Sequence, residues 1–244
     1  MSIRRRLRLW QLVVEQSRGR PITVEHVCAA VIGATGVDGV AVAVALPASL
    51  REVLYASDAV VSEVEELTVT LGEGAGVEAL EGGPVLVADL AAPECESRWP
   101  IYAAAAVSAG VRAVFALPLR IGAIRLGVMD LYRAVPGSLD PEQLADALQL
   151  ADSMCAILLD AADGQNRLRI NRSGPEPLGM RHPQVHQATG MLIVQLGVTA
   201  AVALIRLRAY AYAHDRRLVE VAGDVVARRL RFHRDSDADD GDSG

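Results

Sequence analysis

A loop-like stretch of twenty residues constrains this chain more than any other part of its sequence. Residues 163–182, DGQNRLRINRSGPEPLGMRH, interrupt the apolar periodicity on both sides of them. Gly, Pro, Asn and Ser favour turns and loops over helices and strands. The sequence therefore predicts a linker over residues 164–182, with one domain before it and a second, smaller domain after it.

Charged residues are distributed unevenly around this linker. Residues 21–166 carry six arginines against 20 acidic residues, whereas residues 167–234 carry 12 arginines against four. The chain has no lysine, and its net charge is −6. A basic domain joined to an acidic one is typical of a regulator whose basic part binds a polyanion. A solvated arginine-rich helix face would give the same count, so charge alone leaves both interpretations open.

The segment before the linker alternates in the way that β-strands do. Five stretches show this alternation: residues 39–46, 51–57, 84–90, 111–120 and 123–132. The last two are adjacent, and the Ile121–Gly122 step between them predicts a tight hairpin. Flanked by helices, these strands predict an α+β fold built on a mostly antiparallel sheet.

Two predicted helices of this segment have apolar residues at heptad-like spacing. The first spans residues 3–17, with Ile3, Leu7, Trp10 and Val14 in one stripe; the second spans Pro141–Ala162, with Leu144, Leu148, Ala151, Cys155, Leu158 and Ala162. These stripes predict either the seams of a dimeric four-helix bundle or amphipathic helices that lie on their own sheet. The recurrence of the pattern in both helices favours the dimer. A further helix is predicted over residues 22–34.

Three short amphipathic helices are predicted after the linker. They span residues 183–196, about 200–214 and about 218–231, and Thr199 caps the second of them. Pro183 and Gly197 stand at the two ends of the first helix, where proline and glycine are favoured. The last ten residues, DSDADDGDSG, are acidic and polar, which predicts a disordered tail over 235–244.

Several classes of protein find no support in the sequence. It has no uncharged apolar run of about 18 residues, so we expect no membrane helix. Three widely spaced cysteines favour free thiols in a reducing compartment. The histidines show no metal-binding spacing, and neither a nucleophile–base arrangement nor a phosphate loop stands out. We therefore expect a cytoplasmic protein that is not an enzyme and has no metal or cofactor.

Thirteen residues of the three short helices and of the turn after the first helix form one pattern: Ala188, Gly190, Gly197, Thr199, Ala203, Leu207, Arg208, Ala211, Leu218, Val221, Ala222, Val225 and Val226. Over residues 183–234 this pattern resembles the ANTAR domain, a three-helix RNA-binding module of bacterial transcription antiterminators. One position departs from the family, whose first helix commonly reads Ala-Lys-Gly. This chain has Ala188-Thr189-Gly190, so another residue must supply any contact made by that lysine.

The earlier stretches LGEGAGVEAL (71–80), PVLVADL (84–90), RWP (98–100) and GVRAVFALPLRIGAIRLGVMDLYR (110–133) resemble a GAF domain over residues 21–163. Residues 1–20 would then form an N-terminal helix before it. The resemblance implies a sensor of an unknown small molecule or protein signal. It does not favour a cyclic nucleotide, because the lysine-containing pattern of such members is absent. We expect LGEGAG to shape a turn at the mouth of the sensor pocket.

The resemblance to the ANTAR domain implies RNA stem-loops as partners, often two adjacent hairpins read by a homodimer. A glycine inside a helix costs about 1 kcal/mol relative to alanine, so Gly190 needs a reason. We interpret Ala188 and Gly190 as a bare strip that RNA can approach closely. The expected contacts come from polar neighbours and from arginines suited to phosphate: His186, Gln187, Thr189, Gly190, Arg206, Arg208, Arg216 and Arg217.

One hypothesis combines these expectations: a dimeric regulator whose GAF sensor controls an ANTAR module that binds RNA hairpins and permits transcription to continue. Three alternatives stay open. One is DNA binding by the three-helix domain, although no recognition helix with a suitable row of base-reading residues stands out. The helical domain could dock a protein partner instead of RNA. Less favoured is a GAF-type redox enzyme that uses Cys95, since Glu94 and Glu96 beside it would raise the pKa of its thiol.

Overall fold

The computed structural model describes residues 3–46, 50–162 and 183–233. The chain divides into two compact units, residues 1–181 and 182–244. The linker predicted over 164–182 and the tail predicted over 235–244 lie outside the described residues.

The first unit is built on a five-stranded sheet in which all paired neighbours are antiparallel. Its strands are β1 (Gly39–Leu46), β2 (Leu50–Ala56), β3 (Val85–Val87), β4 (Ala113–Ile121) and β5 (Ile124–Arg133), in the spatial order β2-β1-β5-β4-β3. All five lie where the alternating pattern predicts them. The α+β class expected for this unit is confirmed.

The β4–β5 hairpin turns one residue later than predicted. Arg120 pairs with Arg125 and Ile121 with Ile124, so the two turn residues are Gly122 and Ala123. Gly122 has φ 58°, a left-handed conformation that glycine adopts without a steric penalty. The cross-strand pairing of two isoleucines therefore takes Ile121 into the strand.

Three helices cover one face of this sheet: α1 (Ile3–Ser17), α2 (Val24–Thr35) and α7 (Pro141–Ala162). They enclose the main apolar core together with inward residues of the strands such as Phe115, Leu117 and Met129. Ala151, Cys155 and Leu158 of the α7 stripe are buried in that core. These three residues thus belong to an amphipathic helix that lies on its own sheet, and their assignment to a dimer seam was wrong.

The α1 stripe differs from that of α7. Ile3, Leu7, Trp10 and Val14 are all exposed, Ile3 by 77%. The opposite side of α1 buries Leu9 and Val13 against α2 and α7. Ion pairs from Arg5 and Arg8 to Asp146, and from Arg5 to Glu142, fix α1 on α7.

Four helices cover the other face of the sheet: α3 (Ala59–Leu71), α4 (Ala75–Glu81), α5 (Pro93–Arg98) and α6 (Tyr102–Ser108). The sequence did not predict them individually, because α3 is rich in β-branched residues and the others are seven residues or shorter. Cys95, expected in a loop, lies in α5.

The second unit consists of α8 (Pro183–Leu196), α9 (Ala200–Ala213) and α10 (Leu218–Val226). Each helix buries one apolar face against the other two, including Ala188, Leu207 and Val221. Thr199 caps α9 as predicted, since its hydroxyl accepts a hydrogen bond from the Val202 amide. Helix α10 ends five residues before the predicted Arg231. The cause is Arg228, whose φ of 59° turns the chain back.

No single helix among the described residues is long and apolar enough to cross a membrane. Helices α8 and α9 have the length and apolar composition of a membrane span only when they are taken together, and the chain bends by 109° between them.

Candidate nucleic-acid interface

Helix α8 separates its residues into a buried and an exposed face. Val185, Ala188 and Leu192 point into the three-helix unit, whereas Gln187, Gly190 and Val194 are exposed. A helix advances about 100° per residue, so Ala188 and Gly190 lie on nearly opposite sides. The predicted bare strip formed by both residues therefore does not exist, and Gly190 alone is exposed.

Thr189 is also misplaced by the sequence interpretation. Its side chain is buried, and its hydroxyl donates a hydrogen bond of 2.7 Å to the Val185 carbonyl one turn earlier. A hydroxyl that donates to its own helix in this way has a hydrogen-bond partner without any contact outside the helix. The structure thus places Thr189 in the core of the unit, away from the surface where RNA would lie. His186, half-buried, and Gln187, exposed, remain at the surface.

Gly190 has no packing reason to be a glycine. A Cβ added at this position would meet no atom within 4 Å, and its φ is not in the left-handed region. Alanine here would therefore fit and would favour the helix by about 1 kcal/mol. The glycine keeps the space next to the helix backbone at this position open.

The segment after α10 folds back across the unit and is held there by specific contacts. The Gln195 amide donates to the Phe232 carbonyl, and Arg206 Nη1 donates to the His233 carbonyl at 3.4 Å. The Phe232 ring meets the Tyr210 ring edge-on, with centroids 5.4 Å apart. These contacts fix residues 227–233 beside α8 and α9.

A groove of about 620 Å³ lies between α8 and this returning segment. We call it the Gly190 groove; its lining residues are Gln187, Gly190, Met191, Val194, Gln195, Val225, Arg228, Leu230 and Arg231. Its lining combines apolar side chains with two glutamines and two arginines. Of the eight residues predicted from the sequence to bind RNA, Gln187 and Gly190 lie here.

The described arginines of the second unit fall into three groups. Arg216 and Arg229 are tied to Asp224 at 2.8 and 2.6 Å, and the Asp224 hydrogen bond raises the pKa of Arg216. Arg217, Arg228 and Arg231 are exposed, and within the described part of the chain no acidic side chain pairs with them. Arg206 and Arg208 are half-buried on α9, and both have partners.

Sequence reasoning missed Arg228 and Arg231 because it extended α10 as a regular helix through this segment. The run ARRLRFHR, residues 227–234, carried the signal, since four of its eight residues are arginines. On a continued helix Arg228 and Arg231 would share a face, since they are three residues apart, but the chain would keep the direction of α10. The left-handed turn at Arg228 instead places Arg228 and Arg231 on the same groove.

Aromatic residues cluster on α9 next to the returning segment. The rings of Tyr210 and His214 stack with centroids 3.9 Å apart and planes 16° from parallel. Tyr212 is exposed and lies on another side of the helix. Tyr210 therefore helps to hold the returning segment, while Tyr212 offers a free ring face to solvent.

The first unit contains a different concentration of charge, which is wholly buried. Arg51 of β2 donates through the same nitrogen, Nη2, to Glu65 of α3 and, at 2.8 Å, to Asp130 of β5. The Tyr132 hydroxyl donates to Glu65 at 2.7 Å. All these side chains are about 98% buried or more. One guanidinium thus faces two carboxylates in a site that water does not reach.

Burial raises the pKa of Asp130 to about 7, against the opposing effect of Arg51 and with a further upward contribution from Glu65. For Arg51, burial acts to lower the pKa, but Glu65 and Asp130 raise it overall. The guanidinium therefore stays charged, and Asp130 is the group that takes up a proton near neutral pH.

The LGEGAG stretch closes over this buried cluster. A Cβ on Gly76 would stand 2.4 Å from Arg51 Nη1 and 2.5 Å from Asp130 Oδ2. Gly74, with φ 117°, lies against the Tyr102 ring, where an added Cβ would come within 2.9 Å. Gly76 lets the backbone approach the cluster, and Gly74 lets it approach the Tyr102 ring. A larger residue at either position would push the backbone away from these side chains.

All three cysteines are buried. The Cys95 thiol donates to the Asp89 carbonyl at 3.4 Å, and burial raises its pKa. Such a thiol is less nucleophilic at neutral pH than an exposed cysteine, because the thiolate is the reactive form.

Comparison with protein families identifies the family of the first unit. The model of the GAF domain matches residues 22–159, which is more than half of the chain. This chain belongs to the GAF family. The model of the ANTAR domain matches residues 181–226, directly after the GAF domain. The GAF domain thus holds the buried ion cluster, and the ANTAR domain carries the Gly190 groove. Arg228 and Arg231 lie just beyond the matched residues.

Three solved structures that are similar to this chain come from different kinds of protein. The GAF domain of a phosphoenolpyruvate-protein phosphotransferase from Coxiella burnetii is 15% identical with a TM-score of 0.48, over 67% of this chain and 98% of that chain. A domain of a two-component sensor histidine kinase from Sinorhizobium meliloti is 17% identical with a TM-score of 0.44, over 57% and 90%. A type II free methionine-R-sulfoxide reductase from Thermoplasma acidophilum is 15% identical with a TM-score of 0.43, over 61% and 96%. At these values the activities of those proteins do not transfer to this chain. No curated protein matches the sequence.

Proposed function

We propose that this protein is a transcription antitermination regulator whose GAF domain controls the binding of RNA hairpins by its ANTAR domain. The GAF–ANTAR architecture supplies a sensory domain and an RNA-binding antitermination module. The observation that carries the proposal is the set of exposed arginines without an acidic partner among the described residues, Arg217, Arg228 and Arg231, on the ANTAR domain.

Charge supports a polyanionic partner for the ANTAR domain. Its described residues, 183–233, include seven arginines against three acidic residues. Arginine donates to phosphate oxygens in a planar fork and also stacks on bases, so it serves both parts of a nucleotide. Arg217 stands at the N-cap of α10, and Arg228 and Arg231 at the groove.

The cysteines give no support to redox catalysis as the function. Attack on a sulfoxide or peroxide requires a thiolate, and burial keeps the Cys95 thiol protonated by raising its pKa. We therefore propose a non-enzymatic role for the GAF domain, in which a signal changes the RNA affinity of the ANTAR domain.

We further propose that the protein acts as a homodimer through the exposed side of α1. Ile3, Leu7 and Trp10 line a groove of about 660 Å³ between α1 and α7, together with Arg6 and Asp152. In a two-fold interface the same patch meets itself, so Arg6 of one copy can face Asp152 of the other. A Leu7→Glu variant should be monomeric in sedimentation equilibrium at concentrations where the wild type is dimeric. Val60→Glu, which changes an exposed apolar residue of α3, is the matched control. A monomeric wild type would remove the dimer from the proposal.

RNA binding is tested with the full chain and a pool of RNAs in which two hairpins carry randomised loops. Selection should enrich particular loops, and the enriched RNA should bind more tightly than its scrambled sequence or duplex DNA. Replacement of Arg217, Arg228 and Arg231 by glutamine should weaken this binding. It should also reduce the slope of log Kd against log salt by about 0.7 to 0.9 for each phosphate that the variant no longer neutralises.

A matched variant separates local contacts from overall charge. Arg4, Arg18 and Arg125 are exposed arginines of the first unit, and their replacement by glutamine changes the net charge equally. This control should bind the enriched RNA almost as the wild type does. Equal weakening in both variants, or no enrichment at all, would overturn the proposal.

A protein partner for the ANTAR domain is the second candidate function. Val194 of α8 and Ile205 of α9 are large apolar residues that are 82% and 61% exposed. Exposed apolar residues of this size favour a protein contact when they form a patch. Binding that is insensitive to salt and to RNA sequence would favour this candidate.

A further inference from the structure

We propose that the Gly190 groove receives one unpaired base of an RNA loop, with Arg228 and Arg231 holding the phosphates beside that base. This inference rests on the proposed RNA binding and adds to it a specific site and an occupant. Three observations carry it: the open space over Gly190, the turn that places Arg228 at the groove, and the mixture of apolar and arginine side chains that line the groove.

Gly190 is unfavourable to the fold on its own. It lies inside a helix, its φ is ordinary, and a Cβ would contact nothing within 4 Å. The residue therefore gives up helix stability without a packing gain inside the ANTAR domain. Any side chain here would project into the groove, between Gln187 and Val194 on the same face of α8. The space is therefore suited to a ligand that must lie flat against the helix backbone.

Arg228 is unfavourable to the fold in a second way. Its φ of 59° is a left-handed conformation that a side chain with a Cβ adopts only at a steric cost. Glycine would make the same turn more easily. The arginine at this position gives the turn a guanidinium at the edge of the groove, opposite Gly190. Asp215, just after α9, has the same left-handed conformation. The turn is therefore an ordinary helix ending, and what bears on binding is the guanidinium that it places at the groove.

The chemistry of the groove matches a nucleobase better than a bare phosphate. Its apolar lining comes from Met191, Val194, Val225 and Leu230, which suit the apolar face of a base. The exposed Gln187 amide offers both a donor and an acceptor for a base edge. Arg228 and Arg231 supply positive charge for the flanking phosphates. Recognition of unstacked loop bases by stacking and by edge hydrogen bonds is how proteins read RNA sequence.

Two substitutions test the proposal, because each should favour the fold while it removes the site. Gly190→Leu replaces a helix glycine with a good helix former and fills the groove. Arg228→Gly relieves the left-handed backbone and removes one guanidinium. We expect both variants of the full chain to melt at the wild-type temperature or above it. We expect the Kd for the RNA enriched by the wild type to rise about tenfold or more in each.

The chain provides matched controls for both changes. Gly223 is a glycine inside α10 with the same open space, and it does not line the groove. Arg18 is an exposed arginine of the first unit with φ 49°. Gly223→Ala and Arg18→Gly should raise or maintain the melting temperature and leave the Kd for RNA within about twofold of the wild type, as expected of surface changes outside the site.

Changes in the RNA identify the occupant of the groove. One loop nucleotide at a time is replaced by an abasic residue. At the position that enters the groove, removal of the base should weaken binding to the wild type about tenfold but should change binding to Gly190→Leu very little, because the groove is already filled. A 2-aminopurine at that position should change its emission on binding to the wild type and not to Gly190→Leu.

The outcomes separate this inference from the proposed function. If no RNA is enriched, RNA binding itself fails. If RNA is enriched and the Gly190→Leu and Arg228→Gly variants bind it as their controls do, the base site is wrong and RNA binding stands. If both variants lose binding but no abasic position shows the coupling, the groove contacts the backbone and the inserted base is wrong.

Discussion

Arginine serves opposite purposes in the two domains of this chain. In the GAF domain Arg51 is buried with two carboxylates, and its charge is neutralised within the fold. In the ANTAR domain Arg228 and Arg231 are exposed at a groove, without an acidic partner among the described residues. The same side chain is thus a structural ion in one domain and an available cation in the other. The number of acidic neighbours decides which of the two it becomes.

The largest expected effect tests the buried half of this comparison. Arg51→Met retains much of the side-chain volume but leaves Glu65 and Asp130 buried without their cation. Removal of one partner from a buried ion pair costs about 3–5 kcal/mol of stability. The urea midpoint of the GAF domain should fall accordingly.

Two further variants check the reason for that destabilisation. Adding Glu65→Gln and Asp130→Asn to Arg51→Met should recover part of the midpoint, because no uncompensated charge is then left inside. Arg112→Met removes a partner of Asp89 in an ion pair that is about one-third exposed, and should shift the midpoint very little. If Arg112→Met and Arg51→Met have equal effects, burial does not distinguish the two sites.

The next effect is a pH dependence that belongs to the GAF domain alone. The folded-state pKa of Asp130 is raised to about 7, so between about pH 4 and 7 the folded state binds more protons than the unfolded state. Protonated Asp130 therefore adds to the free energy of unfolding below about pH 4. This contribution, on the order of 4 kcal/mol, is lost as the pH rises through 7.

Urea unfolding between pH 5 and 8 measures this pH dependence. Asp130→Asn cannot take up the proton and should flatten the curve over that range. A wild-type curve that is already flat would show that Asp130 is ionised throughout, and the cluster would then carry its extra negative charge at all these pH values.

Two helix-capping variants with a smaller effect test whether the domains unfold independently. Asp58 caps α3 in the GAF domain by accepting from the Val61 amide at 2.9 Å, and Thr199 caps α9 in the ANTAR domain. Replacement of either by alanine should cost about 1 kcal/mol. Calorimetry of Asp58→Ala should show a shift in one transition, and Thr199→Ala a shift in the other. Movement of a single common transition in both variants would mean that the domains unfold together.

The sequence was most informative where one pattern dominates. Gly39–Leu46 alternates over its whole length and Pro141–Ala162 repeats its apolar spacing over 22 residues, and both elements have the predicted bounds. Periodicity could not tell which partner an apolar stripe meets. Ala151, Cys155 and Leu158 of the α7 stripe are buried against their own sheet, whereas the α1 stripe is exposed, although both stripes have the same spacing.

The candidate site was only half predictable, for a geometric reason. Gln187 and Gly190 could be found because a helix glycine is conspicuous in sequence. Thr189 was placed on the wrong side because residues one position apart differ by about 100° around a helix. Arg228 and Arg231 depend on a left-handed residue other than glycine, and no sequence rule predicts that conformation for arginine.

The early end of α10 has a consequence for relatives of this protein. One wall of the groove comes from α8, inside the ANTAR match at residues 181–226, and the other from residues that follow that match. The second wall can change its sequence while the domain signature stays the same. Under the base site proposed above, two proteins with equally good ANTAR signatures would differ in the loops they prefer, and residues 227–233 are the place to look for that divergence.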